Sequence, residues 1–432
     1  MVTSKSPSLI LLLACVLASV APTMAPAASV QDPDPQQRYN AAESAFAAGE
    51  PDRAVALFDA LAADFPRSRH PSSPWRATAK VRAGEIDLAL GRGQAAAARF
   101  VDVVEAEEAS IWTARASLGL AATLVLDREW AAAATLLQQI VDADRADEPG
   151  ADPIAAARAS ARLTLLHRLW LRPAAGEQPW QRAGRFVAGT TFDRPIGVAA
   201  GEDGVLITDE GIDTAVFVDS QGNAATFSVA DPHRPWWSAR GDAYVAARSV
   251  VSAPLRMETV AFAASDGSRQ RTVGDIRAGA RTAAGVWLLL DNDSRSVMRF
   301  GADSVFERVL DLGPDSRPVD LAIGPRGRIF VLEERRREVV VLDADGNLSG
   351  GFAVEGWRRP QAVATDALGH VYVLDRDLGR IDVFDPDGGI LWTLGPTLPG
   401  GVELDDPRDI AVDATGRILV ADRGLSAVVV IE

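Results

Sequence analysis

The chain has 432 residues, too long for one ordinary core, so at least two domains follow. With 47% hydrophobic and 24% charged residues it has the balance of a globular rather than a disordered chain. A formal net charge of -15 opposes a general nucleic-acid role, because phosphate binding rests on cationic surface.

The first residues read as an export signal. Lys5 lies in a short polar start, an apolar run extends from Leu9 to Val20, and Ala25-Pro26-Ala27 supplies a small-x-small cleavage site, giving a signal peptide over residues 1–27. The run is too short to span a membrane. The expectation is a periplasmic or secreted protein without a membrane span. Cys15 follows Leu12-Leu13-Ala14, a faint lipoprotein box, but Leu13 is bulky for that box and the apolar run continues past the cysteine. A lipid anchor at Cys15 is therefore the alternative to cleavage after Ala27. Cys15 is the only cysteine, so no intramolecular disulfide can form and stability must come from packing.

Ala-rich segments with apolar spacing of three and four occupy residues 36–171, the pattern of paired amphipathic helices. Most of the pattern of Ala45, Gly49, Ala54, Phe58, Leu61 and Pro66 is repeated by Gly84, Leu88, Gly91, Ala96, Phe100 and Val103, and a third pair, with a small insertion, carries Gly119, Trp130, Ala133, Leu137 and Ile140. Small residues at these offsets let antiparallel helices approach, while Phe58 and Phe100 fill the gaps between pairs. A linker, residues 172–180, has proline near both ends at Pro173 and Pro179, which breaks the helix and favours an extended path.

From about Arg194 to Glu432, within a propeller domain of residues 181–432, one pattern repeats about every 42 residues: a turn ending in Pro, an apolar strand, a Gly turn, an apolar strand closing on a carboxylate, and a further strand. The clear copies begin at Pro195, Pro318, Pro360 and Pro407, with degenerate copies at Arg234-Pro235 and near Ile276. Six such units predict a six-bladed β-propeller of four-stranded sheets. In the fifth unit the strands are expected at 361–365, 370–374, 381–384 and 390–394. The last unit ends at Glu432 with a third strand and no fourth, and residues 185–189 have the character of the missing one, which would close the ring and remove an edge. The fold class is thus multidomain, N-terminal helical repeats followed by an all-β propeller.

Two resemblances accompany these readings. The helical pairs, with Asp64-Phe65-Pro66-Arg67-Ser68 ending one and Pro74-Trp75 opening the next, resemble tetratricopeptide repeats of bacterial cell-envelope proteins, which implies peptide or partner binding on a concave face. The propeller units, with endings such as Ile207-Thr208-Asp209, Val373-Leu374-Asp375 and Val420-Ala421-Asp422, resemble NHL repeats; Arg248 replaces the carboxylate in the second unit. NHL-type propellers include enzymes and interaction modules, so this resemblance implies fold rather than function.

Two residue sets converge on one rim of such a ring: Arg194, Arg234, Arg317, Arg359 and Arg408, and Asp209, Asp291, Glu333, Asp375 and Asp422. Pairing between neighbouring blades is one reading. The other is a ligand mouth, because Glu333-Glu334-Arg335-Arg336-Arg337 and Arg358-Arg359 exceed the repeat's need, and Trp236, Trp237 and Trp357 fall in the same connections. Arg194, Arg234, Trp236, Trp237, Arg317, Arg335, Trp357, Arg359 and Arg408 are the candidate ligand-binding residues. No catalytic residue, metal site or cofactor is assigned: His233 and His370 fall at opposite rims and no nucleophile elbow or phosphate loop is present. Asp343-Ala344-Asp345-Gly346-Asn347 superficially resembles a calcium loop but falls where a hairpin turn is due. The sequence therefore points to a non-catalytic binding or scaffolding protein for a protein, peptide, anionic polymer or glycan partner. The alternative is a calcium-dependent lactonase-like or lyase-like enzyme using the carboxylate ring and Asn292.

Overall fold

The computed structural model describes residues 34–70, 72–171, 178–186, 191–238, 241–262 and 273–432. The leader over 1–27 with Cys15, most of the linker, and residues 187–189 of the expected closing strand lie outside them.

Among the described residues seven α-helices come first: α1 (Pro35–Ala47), α2 (Pro51–Asp64), α3 (Trp75–Ala89), α4 (Gly93–Ala106), α5 (Ile111–Leu126), α6 (Trp130–Arg145) and α7 (Pro153–Leu166). Their starts follow from local chemistry. Pro51 and Pro153 occupy first helical positions, Ser110 and Thr113 form a capping box, and the Asp152 carboxylate accepts from Ile154 N. Consecutive helices pack antiparallel, and small residues set the spacing. A Cβ at Gly84 or Gly119 would fall within 2.7 Å or 2.4 Å of the Phe100 ring, which is fully buried between α3, α4 and α5.

Six four-stranded antiparallel sheets follow. Their inner strands are Pro195–Ala200, Pro232–Trp237, Ile276–Arg281, Pro318–Ile323, Pro360–Thr365 and Pro407–Val412, which define blades 1 to 6. In blade 5 the strands are Pro360–Thr365, Val371–Asp375, Arg380–Phe384 and Ile390–Leu394. Each inner strand carries a bulge just after its first residue: pairing passes from Pro318↔Glu333 to Asp320↔Leu332, and from Pro407↔Asp422 to Asp409↔Ala421. In blade 2 the corresponding pairs are Pro232↔Ala247 and Pro235↔Val245. The repeat proline of blade 2 is therefore Pro232, not Pro235, which moves Arg234 from the rim into the strand.

The sixth sheet has the order Ala183–Arg185, Ala427–Ile431, Ile418–Asp422, Pro407–Val412, so a strand from before blade 1 completes it. Ala183 pairs with Ile431 and Arg185 with Val429, while Gln181 N and Arg182 N both donate to Glu432 O at 2.8 Å. This strand precedes the expected 185–189 because Trp180 fixes its register: the indole is buried and donates to Gly416 O at 2.8 Å.

The helices lie along one rim of the ring. The positive-φ turn glycines Gly49 and Gly91, each closing a helix, touch blades 3 and 4: a Cβ at Gly49 would meet Ala302 at 2.4 Å, and one at Gly91 would meet Arg326 O at 2.9 Å. Arg128, after α5, pairs with Asp387 of blade 5, and Arg168, after α7, donates to Thr415 O of blade 6. Successive helical turns thus rest on successive blades. A single apolar cluster, including Leu137, Leu163, Leu166, Trp180, Tyr372 and Ile418, joins α5–α7 to blades 5 and 6.

Candidate functional site

The third residues of the inner strands sit at one level of the central channel: Gly197, Arg234, Ala278, Asp320, Ala362 and Asp409. The small members leave room for Arg234. Its guanidinium donates to Val319 O at 2.6 Å, Gln361 O at 2.7 Å and Arg408 O at 3.0 Å, all carbonyls of the bulged residues in blades 4, 5 and 6. It also lies 3.3 Å from both Asp320 Oδ1 and Asp409 Oδ1. The other oxygen of each acid accepts a neighbouring blade's backbone amide, Val363 N at 2.8 Å and Val198 N at 2.9 Å. One cation thus ties four blades together across the axis. Burial pushes both acids up despite Arg234, Asp409 to about 8, since two carboxylates share one guanidinium in a desolvated site.

The rim carboxylates are held by main chain. Asp209 accepts from Asp193 N, Arg194 N and Gly211 N; Asp291 from Gly274 N, Asp275 N and Ser294 N; Glu333 from Arg317 N and Arg336 N. Asp375 accepts from Arg358 N, Arg359 N and Leu378 N, and Asp422 from Asp405 N, Asp406 N and Leu425 N. Each acid anchors the connection entering its own blade, and Asn292 bonds Asp275 instead of joining them. These residues do not fit a calcium ion, and among the described residues no group of three or more His, Cys, Asp or Glu is placed to hold a metal. Asp343 accepts Asp345 N and Asn347 N, so the sequence around it is a hairpin turn. His233, its pKa lowered by burial and then by Arg277, faces Asp275; His370 bonds Asp366 at the helix-covered rim.

The nine candidate residues divide. Arg234 lines the channel. Trp236 and Trp237 point toward the helix-covered end, where both line a cavity. Trp357 is 1% exposed and donates to Asp382 Oδ2 at 2.7 Å, so it is inter-blade core with no face for a ligand. Arg408, with Arg376 and Arg423, surrounds Asp406; burial alone would raise that acid, but hydrogen bonds from Arg408 and Arg423 hold it below its ordinary value. Arg194 is exposed beside Asp193 at 3.8 Å. Arg317 and Arg335 remain, and they share a groove of about 500 Å³ on the open rim with Arg295, Arg337, Arg358, Asp315 and Glu334. Arg359 joins its edge, 3.8 Å from Glu334.

This groove is built by four connections: the hairpin turns ending the second strands of blades 3 and 4, and the segments entering blades 4 and 5. It sets five guanidinium groups against two carboxylates on a chain whose net charge is -15. Among the described residues Arg335 reaches only Asp315, at 3.7 Å, and both are largely exposed. Arg336 differs from its neighbours: it bonds Leu312 O at 2.7 Å and Glu338 at 2.6 Å and is part of the turn. Sequence reasoning saw the Arg run at 335–337. It missed Arg295, which reaches the groove from blade 3, and the signal for the channel, which was Asp at the third strand position where other blades have Gly or Ala.

No family profile matches the chain, and no curated protein sequence does. Solved structures similar to it include a streptogramin B lyase, 14% identical with a TM-score of 0.45 over 58% of this chain and 97% of that one. A virginiamycin B lyase from Staphylococcus aureus is 12% identical with a TM-score of 0.43 over 56% of this chain and 82% of that one. A gluconolactonase from Xanthomonas campestris is 15% identical with a TM-score of 0.45 over 58% of this chain and 89% of that one.

Proposed function

We propose that this is an exported, non-catalytic binding protein whose open propeller rim receives an acidic segment of a protein partner, with the helical repeats serving as a cap and platform on the other rim. The observation that carries this reading is the groove itself: five guanidinium groups with two counter-carboxylates, formed by turns whose own geometry is already secured by Glu333 and Asp375. Guanidinium groups pair with carboxylates through two parallel donors, which gives register as well as attraction. A protein carboxylate is favoured over a sugar because none of the three tryptophans lines the groove. The tetratricopeptide-like and NHL-like character of the repeats fits such a module and belongs to the same proposal, as does cleavage of the leader after Ala27.

The test uses a fluorescent poly-glutamate peptide and the change Arg335→Ser, Arg337→Ser, Arg358→Ser. Anisotropy should show binding by the native protein at 0.1 M salt, at least tenfold weaker binding by the variant, and an unchanged melting temperature, since exposed charges contribute little to folding. Equal binding by both proteins, or none by the native one, contradicts the proposal.

A further inference from the structure

A second site lies at the other end of the channel, where the helices meet the propeller. A cavity of about 500 Å³, within the size range that holds a small organic ligand, is walled by Leu88, Val125, Leu126, Trp237, Leu321 and Ile323. Arg234, Asp320 and Asp409 form its floor. A groove of similar size, about 520 Å³, runs along α1, α3, α5 and α7 and shares Leu88, Ala89 and Arg162 with the cavity. The two spaces therefore meet at Arg162.

The charged groups of this region are matched, with one exception. Arg82 bonds Glu43 and Glu85, Arg115 bonds Asp152, and Arg158 pairs with Glu202. Arg281 bonds the Tyr244 hydroxyl at 2.7 Å and lies over Trp287, and Arg326 bonds Leu126 O and Asp127. Arg234 is held by three carbonyls and two acids, as above. Arg162 has one hydrogen bond, to Leu118 O at 3.3 Å, and among the described residues no carboxylate within salt-bridge reach. Burial lowers its pKa, and the more distant carboxylates of Glu202 and Glu85 offset that only in part. A guanidinium has five N–H donors and stays protonated, so most of its donors have no partner among the described residues. Trp236, whose buried indole N–H has no acceptor among the described residues, lines the same cavity.

We propose that the cavity binds a small amphiphilic monocarboxylate, its apolar body among the helix ends and inner strands and its carboxylate on Arg162. A singly charged head is favoured over phosphate because a single underpaired cation is present and the floor already carries two acids against one guanidinium. The walls offer apolar surface to a chain. This site is separate from the open-rim groove, and its fate does not decide that proposal.

Titration calorimetry of the full-length protein with decanoate, and with decanol as the uncharged control, tests it. Native protein should bind decanoate, and Arg162→Gln should weaken that binding by about tenfold to a hundredfold, the range for losing a hydrogen bond to a charged group, with decanol unaffected. Ala122→Phe, which fills the cavity wall without touching a charge, should abolish decanoate binding and leave Arg162 in place. Absence of binding by the native protein, native-like binding by Arg162→Gln, or native-like binding by Ala122→Phe would each overturn the assignment. Melting curves accompany both variants; should Arg162→Gln fail to fold, the Ala122→Phe result decides.

Discussion

Replacing Arg234 by Met isolates the channel's central interaction. The side chain is close in volume, so the change chiefly removes charge and donors: three carbonyls lose their partners, and Asp320 and Asp409 lose the one cation at 3.3 Å from each. Breaking a buried ion pair from one side costs about 3–5 kcal/mol when the remaining charge stays ionised. These acids can instead take up protons, which makes the cost depend on pH. Asp409 is raised to about 8 in the native fold, against about 3.9 in an unfolded chain. A carboxylate raised by folding gives stability that is present below the unfolded value and lost as pH climbs through the folded one. In the variant both acids rise further, so the loss should be about 3–5 kcal/mol at pH 8.5 and smaller, below about 2 kcal/mol, at pH 5, well below the folded value of Asp409. For a domain of this size the former corresponds to about 6–20 °C in melting temperature. Urea unfolding at the two pH values measures it. An equal loss at both, or less than about 1 kcal/mol at pH 8.5, refutes the view that a single guanidinium compensates two buried acids.

Three further outcomes are expected. In the native protein, unfolding free energy should fall between pH 5 and pH 8 by up to about 1.4 kcal/mol per unit through Asp409, and Asp409→Ala should flatten that slope; an unchanged slope assigns it elsewhere. Trp180→Ala removes a buried indole that holds the closing strand to blade 6 and should cost about 3–5 kcal/mol, measured by chemical denaturation, whereas a loss below about 1 kcal/mol means the register is set by backbone pairing alone. Intact-mass analysis of the exported protein should show a chain beginning after Ala27 without lipid; a diacylated Cys15 reverses that expectation.

The architecture was legible because each blade and each helix pair repeats its own apolar spacing. Period-two strands ending on Asp or Glu, and Gly84 and Gly119 facing Phe100, are local patterns that survive folding unchanged. Register was less legible where blade 2 departs from the repeat. Arg234-Pro235 imitates the Arg-Pro that opens blades 1, 4 and 5, yet pairing starts at Pro232, so three residues of misalignment turned a channel plug into a rim residue. Trp357 followed the same logic: its connection reaches the rim, but the indole turns back to Asp382 between blades. The groove depended on Arg295, Arg317, Arg335 and Arg358 arriving from blades 3, 4 and 5, and the cavity on α7 being placed over the channel. Such long-range coincidences leave no spacing in the chain.

The most direct test of the binding proposal is where an acidic partner lands. Hydrogen–deuterium exchange with and without a poly-glutamate peptide should slow exchange at residues 292–295, 315–317, 334–337 and 358–359, with the effect lost as the Debye length shrinks from about 10 Å at 0.1 M salt to about 3 Å at 1 M. Protection confined to the concave face of the helices, or protection on the rim that persists at 1 M salt, would contradict recognition by the open-rim guanidinium groups.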